Sequence, residues 1–251
     1  IACEDTRHSG KLLQHLSIST PCVAFHEHNE RDKANGLIKR LQNGESIALI
    51  SDAGTPLLSD PGFHLVRAAH QADIPVVPVP GASALLSALV AAGLPTDRFI
   101  FEGFLPNKQV ARQKYLSGLK AETASLVFYE APHRILASLR DMAEILGEER
   151  EAVLARELTK TYETIRRDTL ANLAQWVEQD GNQQRGEIVL VVAGSKPPAD
   201  DELDPETQRI LGILLKQMSV KQAASLTAEI TGQKKNRLYE AALKLVDEDR
   251  S

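Results

Sequence analysis

Two Asp, two Gly and two Pro are packed into the twelve residues from Ser51 to Gly62, SDAGTPLLSDPG, and this stretch constrains the chain more than any other. The apolar run Ile47-Ala48-Leu49-Ile50 leads into it and reads as a buried strand. A helical pattern follows, with Pro61 near its start and Leu65, Val66 and Ala69 on one face. Such a composition directly after a strand describes a shaped backbone rather than a flexible connector. In an open α/β sheet, ligands bind outside the carboxyl ends of the strands, where this loop sits. An ordinary strand-to-helix turn accounts for the same composition, so the rest of the chain has to separate the two.

Before the loop, the pattern predicts a short helix between Asp5 and Leu16, a strand over 22–25, and a polar helix from an Asn29 cap to Gly44. After it, Ile74 to Val79 reads as a strand whose prolines favour an edge or an irregular ladder. Pro80-Gly81-Ala82-Ser83 is a second tight turn. It opens an Ala/Leu-rich helix to Gly93, apolar enough to demand burial against a sheet. The alternation of strands and helices implies a parallel, doubly wound sheet. Residues 94–106 (LPTDRFIFEGFLP) change texture and read as a linker into a second α/β half. That half carries helices over about 107–120, 131–146 and 169–179, and strands over 126–130, 153–156 and 187–192. A second linker, 194–205, precedes three helical patterns at about 206–218, 219–230 and 233–247. The expected domains are therefore 1–95, 96–194 and 206–251. The last two helices flank Thr231-Gly232 in the outline of a helix-turn-helix, with Lys234, Lys235 and Arg237 where nucleic acid would be met. A small helical bundle with a solvated basic end fits the same pattern.

Composition narrows the function classes. At 251 residues the chain can bury one large core or two modest ones. No run approaches the ~18 apolar residues of a membrane span. Two cysteines, Cys3 and Cys22, in apolar surroundings suit a reduced, cytoplasmic protein. A net charge of −5 argues against nucleic-acid binding by bulk charge but leaves room for a local basic patch. Ile1-Ala2-Cys3-Glu4 read as the tail of a strand already under way, so a natural beginning before Ile1 is expected.

Familiar sites are absent from the sequence: no G-x-G-x-x-G, no P-loop and no G-x-S-x-G elbow. His26-Glu27-His28 is the one hint of a metal, and without a third nearby ligand a metal is not favoured. What remains is a set of strand-end turns: SDAGTPLLSDPG and PGAS in the first half, then Glu130-Ala131-Pro132-His133-Arg134, Glu157 to Glu163 and Arg185-Gly186-Glu187 in the second. Small-molecule pockets commonly form between two such halves.

SDAGTPLLSDPG, VPVPGASA, GLPTDRFIFEGFLP, FYEAPHR, ARELTKTYE and GEIVLVVAG occur in this order. Together they resemble the RsmI family of small-subunit ribosomal RNA 2′-O-ribose methyltransferases, within the tetrapyrrole-methylase superfamily. The likeness covers about residues 1–194, and the terminal helices resemble the family's C-terminal helix-turn-helix. The family's first strand and its G-x-P-x-G-N-type loop would lie before Ile1. The resemblance implies two α/β subdomains of the tetrapyrrole-methylase type with a cleft between them, and a C-terminal helical domain. It implies a homodimer that methylates a cytidine of 16S rRNA in the decoding region, within the 30S subunit. It implies S-adenosyl-L-methionine as methyl donor, held against Gly54, Thr55, Pro56, Leu58, Ser83, Ala84, Tyr129, Thr159, Gly186, Glu187 and Ile188, with no metal.

Methyl transfer to a ribose hydroxyl needs alignment, a proton acceptor and a partner for the developing oxyanion. Glu130 is the expected base and Lys160 the expected oxyanion partner, because both sit on strand-end loops beside the cleft; a surface ion pair is the simpler account of each. For RNA, Lys234, Lys235 and Arg237 are the favoured contacts. Lys108, Arg112, Lys114, Arg166 and Arg167 are further candidates. Two other readings compete: a methyltransferase of the same fold acting on a tetrapyrrole or other small molecule, and a helix-turn-helix DNA-binding regulator with a ligand-sensing body.

Overall fold

The computed structural model describes residues 1–26, 29–196, 203 and 205–248. Glu27 and His28, and most of the 194–205 linker, lie outside them. Residues 1–195 cluster as one compact unit and 196–251 as a second.

The first unit begins with a small sheet of β1 (Ala2–Cys3), β2 (Val23–Ala24) and β3 (Leu49–Ile50), ordered β2-β1-β3 and parallel throughout, as the alternation predicts. Between and after them run α1 (Thr6–His15), α2 (Glu30–Gln42), α3 (Phe63–Gln71) and α4 (Ala84–Ala91). Asp5 caps α1 by accepting from the amides of Arg7 (2.8 Å) and His8 (3.4 Å). Ala2, Phe25, Leu37 and Leu65 close the core of this half.

Residues 74–79 are not a strand. They form no ladder with any described residue, and Val77 and Val79 stand 78% and 87% exposed. Pro75, Pro78 and Pro80 each lack the N–H a ladder requires, so the β-prone valines have too few donors to pair. The apolar helix α4 is also only half covered. Leu85, Ala88 and Leu89 are buried, while Leu86 and Val90 face outward.

The second sheet is β4 (Phe99–Phe104), β5 (Ser125–Glu130), β6 (Glu151–Arg156), β7 (Thr164–Thr169) and β8 (Ile188–Val192), ordered β4-β5-β8-β6-β7. It is mixed rather than parallel: β4 and β5 are parallel, and every other neighbouring pair is antiparallel. The segment 94–106 thus holds a strand and is more than a linker. β7 has no counterpart in the sequence pattern, because its Thr-Ile-Arg-Arg-Asp-Thr is charged, as an exposed edge strand tends to be. Alternate residues of the central strands feed two cores. Leu126, Phe128, Ile188, Leu190 and Val192 meet α5 (Gln109–Leu119), α6 (Ile135–Leu146) and α7 (Leu170–Gln179). Val127, Val189 and Val191 meet Leu85, Ala88 and Leu89 of α4. The helix that closes the first half therefore packs on the sheet of the second.

Several arginines proposed for RNA have other partners. Arg112 is buried and paired with Asp141 at 2.6 Å, with side chains 5% and 3% exposed. Arg166 lies over the Trp176 ring and pairs with Asp168. Arg167 pairs with Glu151 and donates to the Gly93 carbonyl. Lys108 and Lys114 remain exposed.

The second unit contains α8 (Pro205–Leu215), α9 (Val220–Thr231) and α10 (Lys235–Glu248), close to the three expected helices. Leu211, Ala223 and Ala242 form its core. Ser219 and Gln222 make a capping box at the start of α9, and Gly232 ends it in the left-handed region at φ 71°. No helix among the described residues is long and apolar enough to cross a membrane.

Removing one member of the Arg112–Asp141 pair strands a buried charge. Arg112→Ala should therefore lower stability by about 3–5 kcal/mol in urea titration, and Arg112→Met combined with Asp141→Leu should recover most of that loss.

Candidate active site

The loop 51–62 is held from outside its own sequence. The buried carboxylate of Glu30, on α2, accepts from the amides of Gly62 (3.0 Å) and His64 (2.6 Å) at the start of α3. A negative group there satisfies amides that the helix cannot and complements its dipole. Thr55 Oγ1 donates to the Ala82 carbonyl at 2.8 Å, tying the loop to the second tight turn. Within the loop, Leu58 N–H reaches the Thr55 carbonyl, and Leu57 takes φ 73° in the position where such a turn favours glycine. Ser59 is likewise at φ 64°.

Across from it, β8 runs antiparallel to both β5 and β6, and Ile188 stands opposite Glu130 on one side and Arg156 on the other. The ends of β5 and β6 and the start of β8 therefore share one edge of the sheet. Glu157 follows β6 at φ 51°, and its Oε1 accepts from the Glu187 amide (2.8 Å) and from Lys160 Nζ (3.0 Å). A Cβ at Gly186 would fall 2.4 Å from that oxygen, so this wall has to be bare main chain. Thr159, at φ 64°, donates its amide to Glu163 at 2.6 Å.

These loops enclose a cavity of about 510 Å³. Gly54, Thr55, Leu58, Ser83, Ala84, Tyr129, Thr159, Gly186, Glu187 and Ile188 line it, together with Glu130 and Lys160. Pro56 is not part of the wall; it sits in the Thr55–Leu58 turn behind it. The Tyr129 ring packs edge-on against Phe101 and Phe104, at 4.9 and 5.7 Å between centroids. Its hydroxyl is pushed up in pKa by burial, against the opposing effect of the Leu85 amide that donates to it, with the charges of Asp60 and Glu187 adding to the rise.

The two proposed reacting groups behave differently. The Glu130 side chain is 1% exposed, and its oxygens accept from Arg134 (2.7 Å), from Ser138 Oγ and from the Ala131 amide. Its acceptor positions are occupied by protein, so its geometry is that of a brace at the start of α6 rather than a base. Lys160 bridges Glu157 and Glu187 (3.1 Å to the latter). Partial burial works to lower its pKa, but the two carboxylates outweigh that and raise it. It is a fixed cation at the cavity wall.

Sequence reasoning named neither Phe104, half-exposed at the wall, nor Asp60 among the site residues. Asp60 lines the cavity, and its pKa is raised to about 6 by burial and by the nearby charges of Glu4 and Asp52, with Ser51 opposing. The missed signal was the second Asp of the loop, placed between two left-handed residues and the Glu30 anchor. No group of three or more His, Cys, Asp or Glu residues among those described is arranged to hold a metal. His26 contacts Asn29 instead. In the second unit, Lys234 and Lys235 are exposed and Arg237 is half-buried at the start of α10.

Comparison with known proteins fits this geometry. Residues 1–174 match the family model for tetrapyrrole (corrin/porphyrin) methylases, and residues 201–246 match that of the RsmI C-terminal HTH domain. The chain is 59% identical to the ribosomal RNA small subunit methyltransferase I of Pseudomonas aeruginosa, covering 97% of this chain and 86% of that one. It is 52% identical to the protein of the same name from Escherichia coli O157:H7, covering 97% and 85%. Among solved structures, the methyltransferase CobJ superposes with a TM-score of 0.54 at 17% identity, covering 77% of this chain and 83% of CobJ. Diphthine synthase gives 0.54 at 15%, covering 73% of each. The chain belongs to the ribosomal RNA small subunit methyltransferase I family, with the tetrapyrrole-methylase fold.

Proposed function

We propose that this protein methylates the ribose 2′-hydroxyl of a cytidine in the decoding region of 16S ribosomal RNA, within the 30S subunit, using S-adenosyl-L-methionine. The observation that carries the reading is the cavity built by strand-end loops of both sheets, in a chain of this family. Its volume lies in the range of small-molecule sites, and its surface suits the donor. Leu58, Ala84 and Ile188 offer apolar wall, and Thr55, Ser83 and Thr159 offer polar groups. Cavity carboxylates make the surroundings favourable for a cation such as a sulfonium.

When bound, the donor supplies a methyl group already activated for displacement. The protein's part is to orient and to stabilise charge. Lys160, held by Glu157 and Glu187, steadies negative charge growing on the attacking oxygen. Glu130 keeps Arg134 and the start of α6 in place, which sets the Tyr129–Pro132 wall. Lys234, Lys235 and Arg237 contact RNA phosphates. The protein acts in the cytoplasm as a homodimer.

Labelled donor incubated with 30S subunits, free rRNA or a porphyrin precursor decides the substrate: label should enter 16S rRNA as 2′-O-methylcytidine, and label in the porphyrin would refute the reading. Replacing Lys234, Lys235 and Arg237 by Ala should weaken RNA binding and reduce the salt slope by about 2, with donor affinity unchanged; an unchanged slope in filter binding removes this cluster from the interface. Light scattering of the full chain should give twice the monomer mass, and a monomer mass would refute the dimer.

A further inference from the structure

We infer that Phe63 and the cations around it form a platform on which a single-stranded nucleotide of the RNA stacks, beside the nucleotide being methylated. The inference rests on the reaction proposed above. Phe63 is 58% exposed, the most exposed of the six phenylalanines. It opens α3 directly after the cavity loop. Asp60, in the cavity wall, is only three steps back along the chain, so the two Cα atoms are at most about 11 Å apart.

Helical spacing assembles the patch. Leu65 and Ala69 are buried, and Leu65 packs with Ala2, Phe25 and Leu37. Phe63, Val66, Arg67 and His70, at i, i+3, i+4 and i+7, therefore share the outward face of α3. With Gln71 they line an open depression of about 440 Å³. The helix carries no Asp or Glu. Arg67 and His70 are exposed and make no ion pair with any described residue. On the other flank, the His64 ring meets the Phe63 ring edge-on, 5.3 Å between centroids, and Arg31 of α2 donates from Nε to His64 Nε2 at 3.3 Å. The aromatic ring thus has Arg67 one turn along and Arg31 beyond His64. Its backbone is also fixed. The buried carboxylate of Glu30 accepts from the amides of Gly62 and His64, the residues on either side of Phe63. A ring presented this way loses little freedom when a ligand covers it.

The chemistry of the patch selects its occupant. An aromatic face left in water between guanidinium groups, on a helix without acid, suits a ligand that joins a π face to negative charge. A single-stranded nucleotide does so: its base stacks on the ring, its phosphate meets a guanidinium, and the Gln71 amide is available to a base edge. The place of the patch adds a reason. A nucleotide drawn into a cavity leaves its stack, and the base beside it loses a stacking neighbour. An aromatic ring near the cavity replaces that neighbour. In a chain of net charge −5, a local group of cations is also where a polyanion finds attraction. The platform belongs to the first unit, so it is a contact separate from Lys234, Lys235 and Arg237 in the second.

The test is steady-state methylation of 30S subunits at saturating labelled donor, with donor affinity measured separately by calorimetry. Phe63→Ala should raise KM for 30S subunits about tenfold or more, the loss of one base–aromatic stack. Its kcat should move far less, and its donor affinity should stay that of the wild type. Phe63→Leu keeps apolar bulk without a π face and should behave as Phe63→Ala does, whereas Phe63→Tyr and Phe63→Trp should recover most of the affinity. Arg67→Gln should raise KM and lower its salt slope by about 1. The emission that Phe63→Trp adds to that of Trp176 should be quenched by 30S subunits and by free 16S rRNA. A wild-type KM in Phe63→Ala, recovery by Phe63→Leu, or lost donor affinity in Phe63→Ala would each overturn the platform. Quenching by 30S subunits with free 16S rRNA inert would overturn it too, assigning the patch to a ribosomal protein. A change of oligomeric mass in Phe63→Ala would assign it to a second copy and do the same. Failure of the wild type to label 30S subunits would instead overturn the reaction on which the platform rests.

Discussion

The direction of β8 is the constraint on which the site depends. Parallel strands connected by helices bring all their carboxyl ends to one edge, and the start of any strand then lies at the opposite edge. A wholly parallel second sheet would have carried Gly186, Glu187 and Ile188 away from Tyr129 and Thr159. Running β8 backwards between β5 and β6 reverses that placement, and the register sets Glu130, Ile188 and Arg156 in one row. The loops that extend the chain beyond that row build the cavity wall. All five residues of β8 are buried, with alternate side chains in two cores, so neither slippage nor reversal is open to it.

From this edge the strain in the chain becomes intelligible. Six described non-glycine residues have positive φ, and four of them, Leu57, Ser59, Glu157 and Thr159, lie in the two loops that face each other across the cavity. Such conformations survive only where neighbouring bonds leave no alternative. The Glu30 carboxylate provides that on one side. On the other, Glu157 fills the space beside Gly186 and bonds both Lys160 and the Glu187 amide. Two carboxylates that contribute little to the cavity surface thus fix most of its shape.

This division explains what the sequence made legible. The strand-end turns and the parallel first sheet can be read from the residues, because turn chemistry and apolar periodicity are local properties, whereas the donor contacts came through the family resemblance, which left out Asp60 and Phe104. β7 cannot, since a charged edge strand carries no apolar signature. The valines of 74–79 suggest a strand because β propensity is local, whereas ladder donors, which the prolines remove, depend on a partner. Arg112 looks like an RNA contact on a polar helix. Only the packing of α5 against α6 shows that its partner is Asp141, 29 residues on. Glu130 is a similar case: its place after a strand is readable, but the inward turn of its carboxylate toward α6 is not.

The carboxylates around the cavity form a graded set, and the grading comes from their surroundings rather than their type. Glu157 is held below the usual carboxylate range, first by the Glu187 amide and then by Lys160, and stays a fixed anion that orients a cation. Asp60, given partial burial and then acidic neighbours, moves the opposite way to about 6. Pairs of like groups driven apart in proton affinity mark the division between structural charge and exchangeable proton in acid–base sites. Here the division coincides with the two sides of the cavity. The carboxylate held low is bonded across β6 and β8, and the one raised sits on the strained loop opposite. A side chain inserted at Gly186 would displace the first. Releasing the loop from Glu30 would free the second, so both protonation behaviours are consequences of backbone held in place from a distance.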